Sequence, residues 1–252
     1  MLILKSKEDI SRMKAAGEIA AGALKTAKEV LAAGVTTRDV DSAIHEFILE
    51  NDAYPSFLGY RGFPAASCIS INEEVIHGIP SGRVINNGDI VSVDVGVIFQ
   101  GFHGDNAATF AIGEISPEDQ KLLDVTRECL FKAIAICDRS HRIGDIGSTV
   151  EGYANVNGFS VVKAYTGHGL GRKLHESPDV PNFGIAGRGL RLIPGMTIAV
   201  EPMINMGGTE IVVLDDGWTV ITEDNKRSAH FEMSIAVTDE GPIVLTDWRE
   251  VL

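Results

Sequence analysis

The sequence predicts an α+β fold in which two similar halves share one sheet that is covered by helices. The predicted elements run as two helices, several strands, two helices and several strands, and a short motif occurs twice. Residues 88–94 and 195–201 both follow the pattern Gly-x-x-apolar-x-apolar-acid. Because no polar linker separates the halves, we expect a single, internally duplicated domain over residues 1–252, with halves of roughly 1–115 and 116–252.

Helix signals introduce each half. Ser6 begins a capping signature, after which apolar residues recur at spacings of three and four until Gly34, and this predicts a long first helix. Three more helices are expected, beginning near Thr37, at Pro117 and after Asp145. Enrichment in β-branched residues, or alternation of apolar and polar residues, predicts the strands. They cover residues 67–72, 89–99, 105–112, 160–165, 197–204, 210–214, 228–238 and 242–245.

Charge and composition restrict the classes of function. The net charge of −13, from 22 Lys and Arg against 35 Asp and Glu, disfavours a protein that binds nucleic-acid phosphates and suits a partner carrying metal ions or positive charge. The three cysteines, of which Cys129 and Cys137 are expected on the third helix, form no CxxC motif, which argues against a disulfide framework and a thiolate zinc site. The sequence contains neither a signal-peptide pattern nor a membrane-spanning stretch, so we expect a cytoplasmic protein.

Four acidic residues interrupt apolar strands, where an unpaired carboxylate is costly to bury. If residues 100–101 form a tight turn, Asp94 and Asp105 lie on adjacent strands and point to the same face. Glu201 occupies the place of Asp94 in the repeated motif, and Glu232 begins another apolar strand. Each acid alone could lie on the polar face of its strand. Together, with an imidazole, they predict a site for divalent ions such as Mn, Fe, Co or Zn.

The seven histidines differ in how well they fit such a site. His168 and His175 lie in the glycine-rich segment 166–176, whose permissive backbone suits a place where another group approaches closely. His77 precedes a glycine near a predicted turn. Each of the three is equally compatible with a hydrogen-bonded loop residue. Of the other four, His45 and His141 are expected at the surface. His103 and His230 flank acids and either support the site or are exposed.

Six segments, taken in chain order, resemble the methionine aminopeptidases of type I. They are residues 72–80, 94–96, 104–105, 167–176, 200–202 and 231–232. The resemblance extends over nearly the whole chain, and the order and spacing of the segments are highly specific. It implies the pita-bread fold of the creatinases and aminopeptidases, in which two pseudo-symmetric halves surround a central antiparallel sheet covered by helices.

The resemblance also implies a reaction and its cofactors. Enzymes of this family remove the initiator methionine from nascent polypeptides by hydrolysis when the second residue is small. The implied cofactors are two divalent metal ions, of Co, Mn, Fe, Zn or Ni, with one hydroxide bridging them. The implied ligands are Asp94, Asp105, His168, Glu201 and Glu232.

Within this implied site, each residue has its own role. Asp105 and Glu232 would bridge both ions, and Glu201 would also act as general base. His77 and His175 would contact the substrate amide and the scissile carbonyl. The implied partners are the N-termini of nascent chains, including chains still at the ribosome, and the protein is expected to be a monomer.

The family comparison also places aromatic residues and a thiol around the methionine side chain, to which such groups bind well. They are Phe57, Tyr60, Phe63, Cys68 and Trp218. Simple packing of a glycine-rich loop explains Tyr60 and Phe63 equally well. Four positions depart from residues that are common in the family, which affects the expected pocket shape and substrate tolerance but no ligand: Phe57, Arg61, Leu174 and Met233.

Three other functions are compatible with parts of this pattern. An Xaa-Pro aminopeptidase or dipeptidase has the same fold, but generally carries an additional N-terminal domain, whereas the first helix here is expected to follow Ser6. Type II methionine aminopeptidases usually have a helical insertion before the last ligand, and only 30 residues separate Glu201 from Glu232. A metal-free peptide-binding module would lack one or more ligands, and a structural calcium site would not use His168.

Overall fold

The computed structural model describes residues 2–251, over which the chain forms four α-helices and fifteen strands. The helices are α1 (Lys7–Val30), α2 (Thr37–Glu50), α3 (Pro117–Ala135) and α4 (Ile143–Val156). The strands before α3 are β1 (Tyr54–Pro55), β2 (Cys68–Ile71), β3 (Glu74–Ile76), β4 (Ile90–Phe99) and β5 (Phe102–Ala111). Those after α4 are β6 (Ser160–Val161), β7 (Gly167–Gly169), β8 (Glu176–Val180), β9 (Thr197–Val200), β10 (Met203–Asn205), β11 (Ile211–Val213), β12 (Val220–Thr222), β13 (Ser228–His230), β14 (Glu232–Thr238) and β15 (Gly241–Val244).

One nine-stranded sheet contains strands from both parts of the chain. Its order is β1-β4-β5-β14-β9-β7-β8, while β2 pairs with β4 and β15 pairs with β14. Every pairing is antiparallel, and β5 meets β14 where Glu232 lies opposite Ala107. Two three-stranded sheets, β13-β10-β6 and β11-β12-β3, flank it. The predicted mixture of helices with a shared antiparallel sheet is therefore confirmed.

Helix α1 covers one face of this sheet because its apolar stripe is matched to β4 and β5. The helix begins at a capping box formed by Ser6 and Asp9, as the sequence predicts, and Met13 and Leu24 are fully buried beneath it. At Gly104 of β5, a Cβ would lie 2.7 Å from the backbone nitrogen of Gly17, so the helix rests directly on the strand backbone. Successive side chains of a strand alternate, so the neighbours of Gly104 point to the opposite face.

The structure corrects several predicted boundaries. Helix α3 ends at Ala135, so Cys137 lies just beyond the helix. Helix α4 begins at Ile143, before Asp145, because the Asp145 carboxylate accepts a hydrogen bond from the backbone N–H of Arg142, at 2.7 Å, and thereby caps the helix. Two predicted strands are divided, and the short strands β1, β3, β7, β8 and β12 escaped prediction. Among residues 2–251, none of the helices has the length and apolarity that a membrane crossing requires.

Candidate metal centre and substrate pocket

The β4–β5 hairpin brings the first two acids together. Gln100 and Gly101 both have positive φ, 49° and 76°, as in the tight hairpin turns whose twist matches that of the strands. In the resulting register Asp94 lies opposite Ala107, and Asp105 lies opposite Gly96. The turn predicted from the sequence is therefore confirmed. Both carboxylates point to the same face, away from α1.

Three further donors come from the neighbouring strands of the second half. Strand β9 ends at Val200, so Glu201 stands just beyond the strand and before Pro202. Glu232 opens β14, and His168 is the middle residue of β7. Strand β14 pairs with both β5 and β9, and β9 pairs with β7. These pairings bring the three side chains together beside the β4–β5 hairpin.

The distances within this group are short. The Nε2 atom of His168 lies 3.7 Å from an oxygen of Asp105 and 3.6 Å from an oxygen of Glu201. One potential ligand atom from each of Asp105, His168 and Glu232 lies within 4.8 Å of the other two. Asp94 and Glu201 line the same cavity. All five donors that the family resemblance implies thus surround one space.

The four acids lack the partners that normally accompany buried charge. Over residues 2–251 their ion pairs involve histidine alone, without lysine or arginine. One oxygen each of Asp94, Asp105 and Glu232 is buried without a hydrogen-bond partner. Burial, followed by repulsion from neighbouring acids, raises the pKa of Asp94, Glu201 and Glu232 well above the usual range. Burial likewise raises the pKa of Asp105.

These observations fit bound divalent cations. A cation supplies what the orphaned oxygens lack, and it favours the charged carboxylates that burial alone disfavours. Mostly oxygen donors with one imidazole suit a hard or borderline ion. The number and identity of the ions remain predictions.

The protonation state of His168 also suits the binding of a metal ion. Its Nδ1 atom lies 2.9 Å from the carbonyl oxygen of Gly169, which can only accept, so Nδ1 carries the hydrogen. Burial, together with the nearby His175, lowers the pKa of His168 to about 3, so the ring is neutral. Nε2 therefore presents its lone pair toward Asp105 and Glu201. A backbone carbonyl that orients a metal-binding histidine in this way is a common arrangement.

His175 and Tyr60 form a second pair at the mouth of the cavity. The Nδ1 atom of His175 lies 2.9 Å from the Tyr60 hydroxyl, and the two rings stack with centroids 5.3 Å apart. The centroid of the His168 ring is only 4.1 Å from that of His175. Burial, and then the positive charge of Arg61, lowers the pKa of His175.

His77 also lines the cavity. It follows β3 with a positive φ of 60°, a conformation that non-glycine residues rarely adopt and that often occurs at functional sites. Its ring packs edge-on against Tyr165 and Trp218, at centroid distances of 5.6 and 6.1 Å. Burial, with a smaller effect of the nearby His175, lowers the pKa of His77 to about 4. His77 is therefore neutral near neutral pH.

An apolar compartment adjoins the acids. Cys68 lies directly opposite Asp94 in the pairing of β2 with β4, so the compartment begins where the carboxylates end. Phe63 packs edge-on against Trp218 with centroids 5.1 Å apart. Burial, and then the charge of Asp94, raises the pKa of the Cys68 thiol well above its usual value, so the thiol stays neutral. The remaining members of this cluster are Phe57, Ala65 and Leu174, with Tyr60 and Ile79 at its border.

The compartment and the acids form one cavity of about 300 Å³. Every residue for which the sequence predicts a role in metal or substrate binding lines it. Of the four unusual positions, Met233 alone does not line the cavity, because it points into the core on the other face of β14. Met233 can therefore influence the shape of the pocket only through its neighbours in the core.

Some lining residues escaped prediction. Tyr165 and Thr166 precede β7 and border the cavity.

His230 is 2% exposed, and its Nε2 atom, without a hydrogen-bond partner, lies 4.0 and 3.9 Å from oxygens of Glu201 and Glu232. Of the two alternatives that the sequence leaves open for His230, support of the site or exposure, the structure shows a buried residue beside the acids. His103 is also buried, but it contacts Ser56 at 2.9 Å outside the cavity.

Comparison with known proteins gives concordant results. The profile of metallopeptidase family M24 matches residues 11–239. The methionine aminopeptidase of Clostridium perfringens is 48% identical over 246 residues, which cover 98% of this chain and 99% of that protein. The crystal structure of methionine aminopeptidase from Thermotoga maritima has a TM-score of 0.97 at 43% identity and covers 98% of this chain and 100% of that one.

A more distant structure shares the fold alone. Prolidase from Pyrococcus furiosus has a TM-score of 0.76 at 21% identity, covering 97% of this chain but 65% of the prolidase. The pita-bread fold implied by the sequence is therefore confirmed. The family match over most of the length, with relatives that align end to end, shows that the chain belongs to metallopeptidase family M24, with the methionine aminopeptidases as its relatives.

Proposed function

We propose that this protein is a methionine aminopeptidase, which removes the N-terminal methionine from nascent polypeptides whose second residue is small. The observation that carries this proposal is the junction of two environments in one cavity. Unpaired carboxylates that fit metal ions lie directly beside an apolar compartment lined by aromatic rings and a thiol. The first environment suits hydrolysis of a peptide bond, and the second suits a methionine side chain.

The metal centre is proposed to contain two divalent ions. Asp94 and Asp105 from the hairpin, with His168, Glu201 and Glu232, would hold them, and Asp105 and Glu232 would be shared. When bound, such ions lower the pKa of water and polarise a carbonyl group. The donors are compatible with Mn, Fe, Co, Zn or Ni, and cellular supply decides between them.

The protein's own groups would move the protons and orient the substrate. Glu201, at the end of β9, would take the proton of the attacking water and deliver it to the leaving nitrogen. If the Tyr60 hydroxyl donates to Nδ1 of His175, Nε2 of that ring carries the hydrogen and can donate to the scissile carbonyl. The neutral ring of His77, which also lines the cavity, would hydrogen-bond the substrate amide.

The apolar compartment would determine which residue is cleaved. A thioether packs favourably against the edges of aromatic rings, which Phe63 and Trp218 provide. The neutral thiol of Cys68 lets the side chain approach Asp94 without meeting a second charge. Phe57 and Leu174 narrow the compartment, so we expect branched or longer N-terminal residues to be poor substrates.

The proposal also extends to the setting of the reaction. Nascent chains are made in the cytoplasm, so a cytoplasmic location follows from the proposed substrate. Encounter with chains at the ribosome and a monomeric state belong to the same proposal. Light scattering combined with size-exclusion chromatography tests the monomer.

A peptide-cleavage assay tests the function. With added Mn or Co, we expect release of methionine from Met-Ala-Ser, no cleavage of an Ala-Pro peptide, and no activity in chelator. Asp105→Ala should abolish release, because this carboxylate would contact both ions, whereas Glu18→Gln on the exposed surface of α1 should not. Cleavage of the Ala-Pro peptide alone would indicate an Xaa-Pro peptidase. Less than one bound ion per chain without peptidase activity would indicate a binding module.

A further inference from the structure

The segment between β7 and β8 carries pocket residues without regular secondary structure. Residues 170–175 form neither helix nor strand, yet Leu174 and His175 both line the cavity. The proposed role of His175 requires its ring to keep a fixed place beside Tyr60 and His168. Something other than a helix or sheet must therefore hold this loop.

Local hydrogen bonds provide part of the support. The carbonyl oxygen of Gly171 accepts from the backbone N–H of His103, at 2.8 Å, which ties the start of the loop to β5. The Glu176 carboxylate, immediately after His175, accepts from the backbone N–H of Lys173 at 3.2 Å. This carboxylate thereby closes the turn that presents Leu174 and His175. A displacement of the Glu176 carboxylate would therefore displace the turn as well.

The Glu176 carboxylate is held by a residue from the opposite end of the sequence. The ammonium group of Lys5 forms an ion pair with Glu176, and both side chains are only 4% exposed. The same ammonium group donates to the carbonyl oxygen of Ile3 at 3.1 Å, and the backbone N–H of Lys5 donates to Gly195 at 2.7 Å. Lys5 is thus itself fixed in place before α1 begins.

The loop sequence leaves room for this ion pair. A Cβ on Gly171 would lie 2.4 Å from Cε of Lys5 and 2.9 Å from an oxygen of Glu176, so a larger residue would displace both. Removing one partner of a buried ion pair leaves an uncompensated charge, which is strongly unfavourable. Without Lys5, the Glu176 carboxylate would gain by moving toward water and would carry the turn with it.

We propose that Lys5 is a positioning residue for His175, acting through Glu176 to lock the loop that presents this histidine to substrate. The inference rests on the proposed function only for the role of His175. The locking of the loop stands on the contacts themselves. The N-terminal segment before α1 thus supports a loop of the site that the sheet does not hold.

Limited proteolysis measures the locking of the loop directly. Arg172 and Lys173 are exposed and lie within the loop. Because trypsin requires a locally unfolded segment, cleavage at these residues measures how often the loop opens. We expect Lys5→Met to be cut at these bonds at least about tenfold faster than the wild type, well below the unfolding temperature. The control is Lys163→Met, which removes a half-exposed ion pair with Glu151 and should leave the cutting rate unchanged. Equal cutting of Lys5→Met and wild type would overturn the proposal.

Kinetics then separate positioning from stability. With Met-Ala-Ser and saturating metal, Lys5→Met should lower kcat by about ten- to a hundredfold with little change in KM or in bound metal. Glu176→Gln, which keeps the size of the side chain, should do the same and serves if Lys5→Met folds poorly. The double variant Lys5→Met/Glu176→Gln should recover the Tm but not kcat. Recovery of both Tm and kcat would show that Lys5 only stabilises the fold. An inactive wild type would contradict the proposed aminopeptidase function but not the locking of the loop.

Discussion

Two histidines in the cavity each have one ring nitrogen occupied by a hydrogen-bonding neighbour. The carbonyl of Gly169 sets the hydrogen of His168 on Nδ1, and the Tyr60 hydroxyl occupies Nδ1 of His175. Nε2 is therefore the ring nitrogen that stays available in both histidines, whose ring centroids are only 4.1 Å apart. One presents a lone pair to the acids, and the other is proposed to present a hydrogen to substrate. Two histidines in one site can thus have opposite functions.

The substitution Tyr60→Phe tests this assignment at His175. The stacked ring is kept, but the hydroxyl that contacts Nδ1 is lost, so the imidazole is free to take either neutral form. We expect kcat for Met-Ala-Ser to fall by about tenfold while KM changes little, because the hydrogen bond to the scissile carbonyl matters most in the transition state. Steady-state kinetics measure this, and Tyr54→Phe, at an exposed tyrosine, is the control. An unchanged kcat would argue against the tautomer assigned to His175.

Elements differ in how far the sequence determines them. The β4–β5 hairpin was predictable because its turn is local and alternation then places Asp94 and Asp105 on one face. Strand β7 was not, since three residues in a glycine-rich segment become a strand only through pairing with β8 and β9. The burial of His103 and His230 likewise depends on elements distant in sequence. Local patterns therefore predicted the acids, while contacts between distant elements decided the surroundings of the histidines.

The contact between α1 and β5 leads to a prediction about stability. In Gly104→Ala the new methyl group would lie 2.7 Å from the backbone of Gly17, so the helix must move away from the sheet. We expect the free energy of unfolding to fall by about 2–3 kcal/mol, as is typical of overpacking. The matched control is Gly152→Ala on α4, where no atom lies within 4 Å and the higher helix propensity of alanine should add up to about 1 kcal/mol. Urea unfolding measures both, and equal effects would contradict the close contact.

At the scale of the whole molecule, the predicted halves, residues 1–115 and 116–252, meet in the nine-stranded sheet where β5 pairs with β14. The centre of the proposed metal site lies across this seam, with Asp105 on one side and Glu232 on the other. We therefore expect residues 1–252 to unfold as one unit, in a single calorimetric transition in the presence of metal. Differential scanning calorimetry measures this. Two separated transitions would show that the halves are independent domains.

The acids also couple the stability of the whole protein to pH and metal. Because the folded pKa values of Asp94, Glu201 and Glu232 are raised, the metal-free folded state holds protons that the unfolded state has released, and stability falls as pH rises through those values. The buried histidines have lowered pKa values and act oppositely, but only below their ordinary value of 6.5. Above about pH 6.5 we therefore expect the metal-free Tm to fall, and the Tm gained with saturating Mn to grow, because bound cations favour the charged carboxylates. Thermal scans with chelator and with Mn measure both, and a metal-induced gain that shrinks with pH would contradict the proposed ligands.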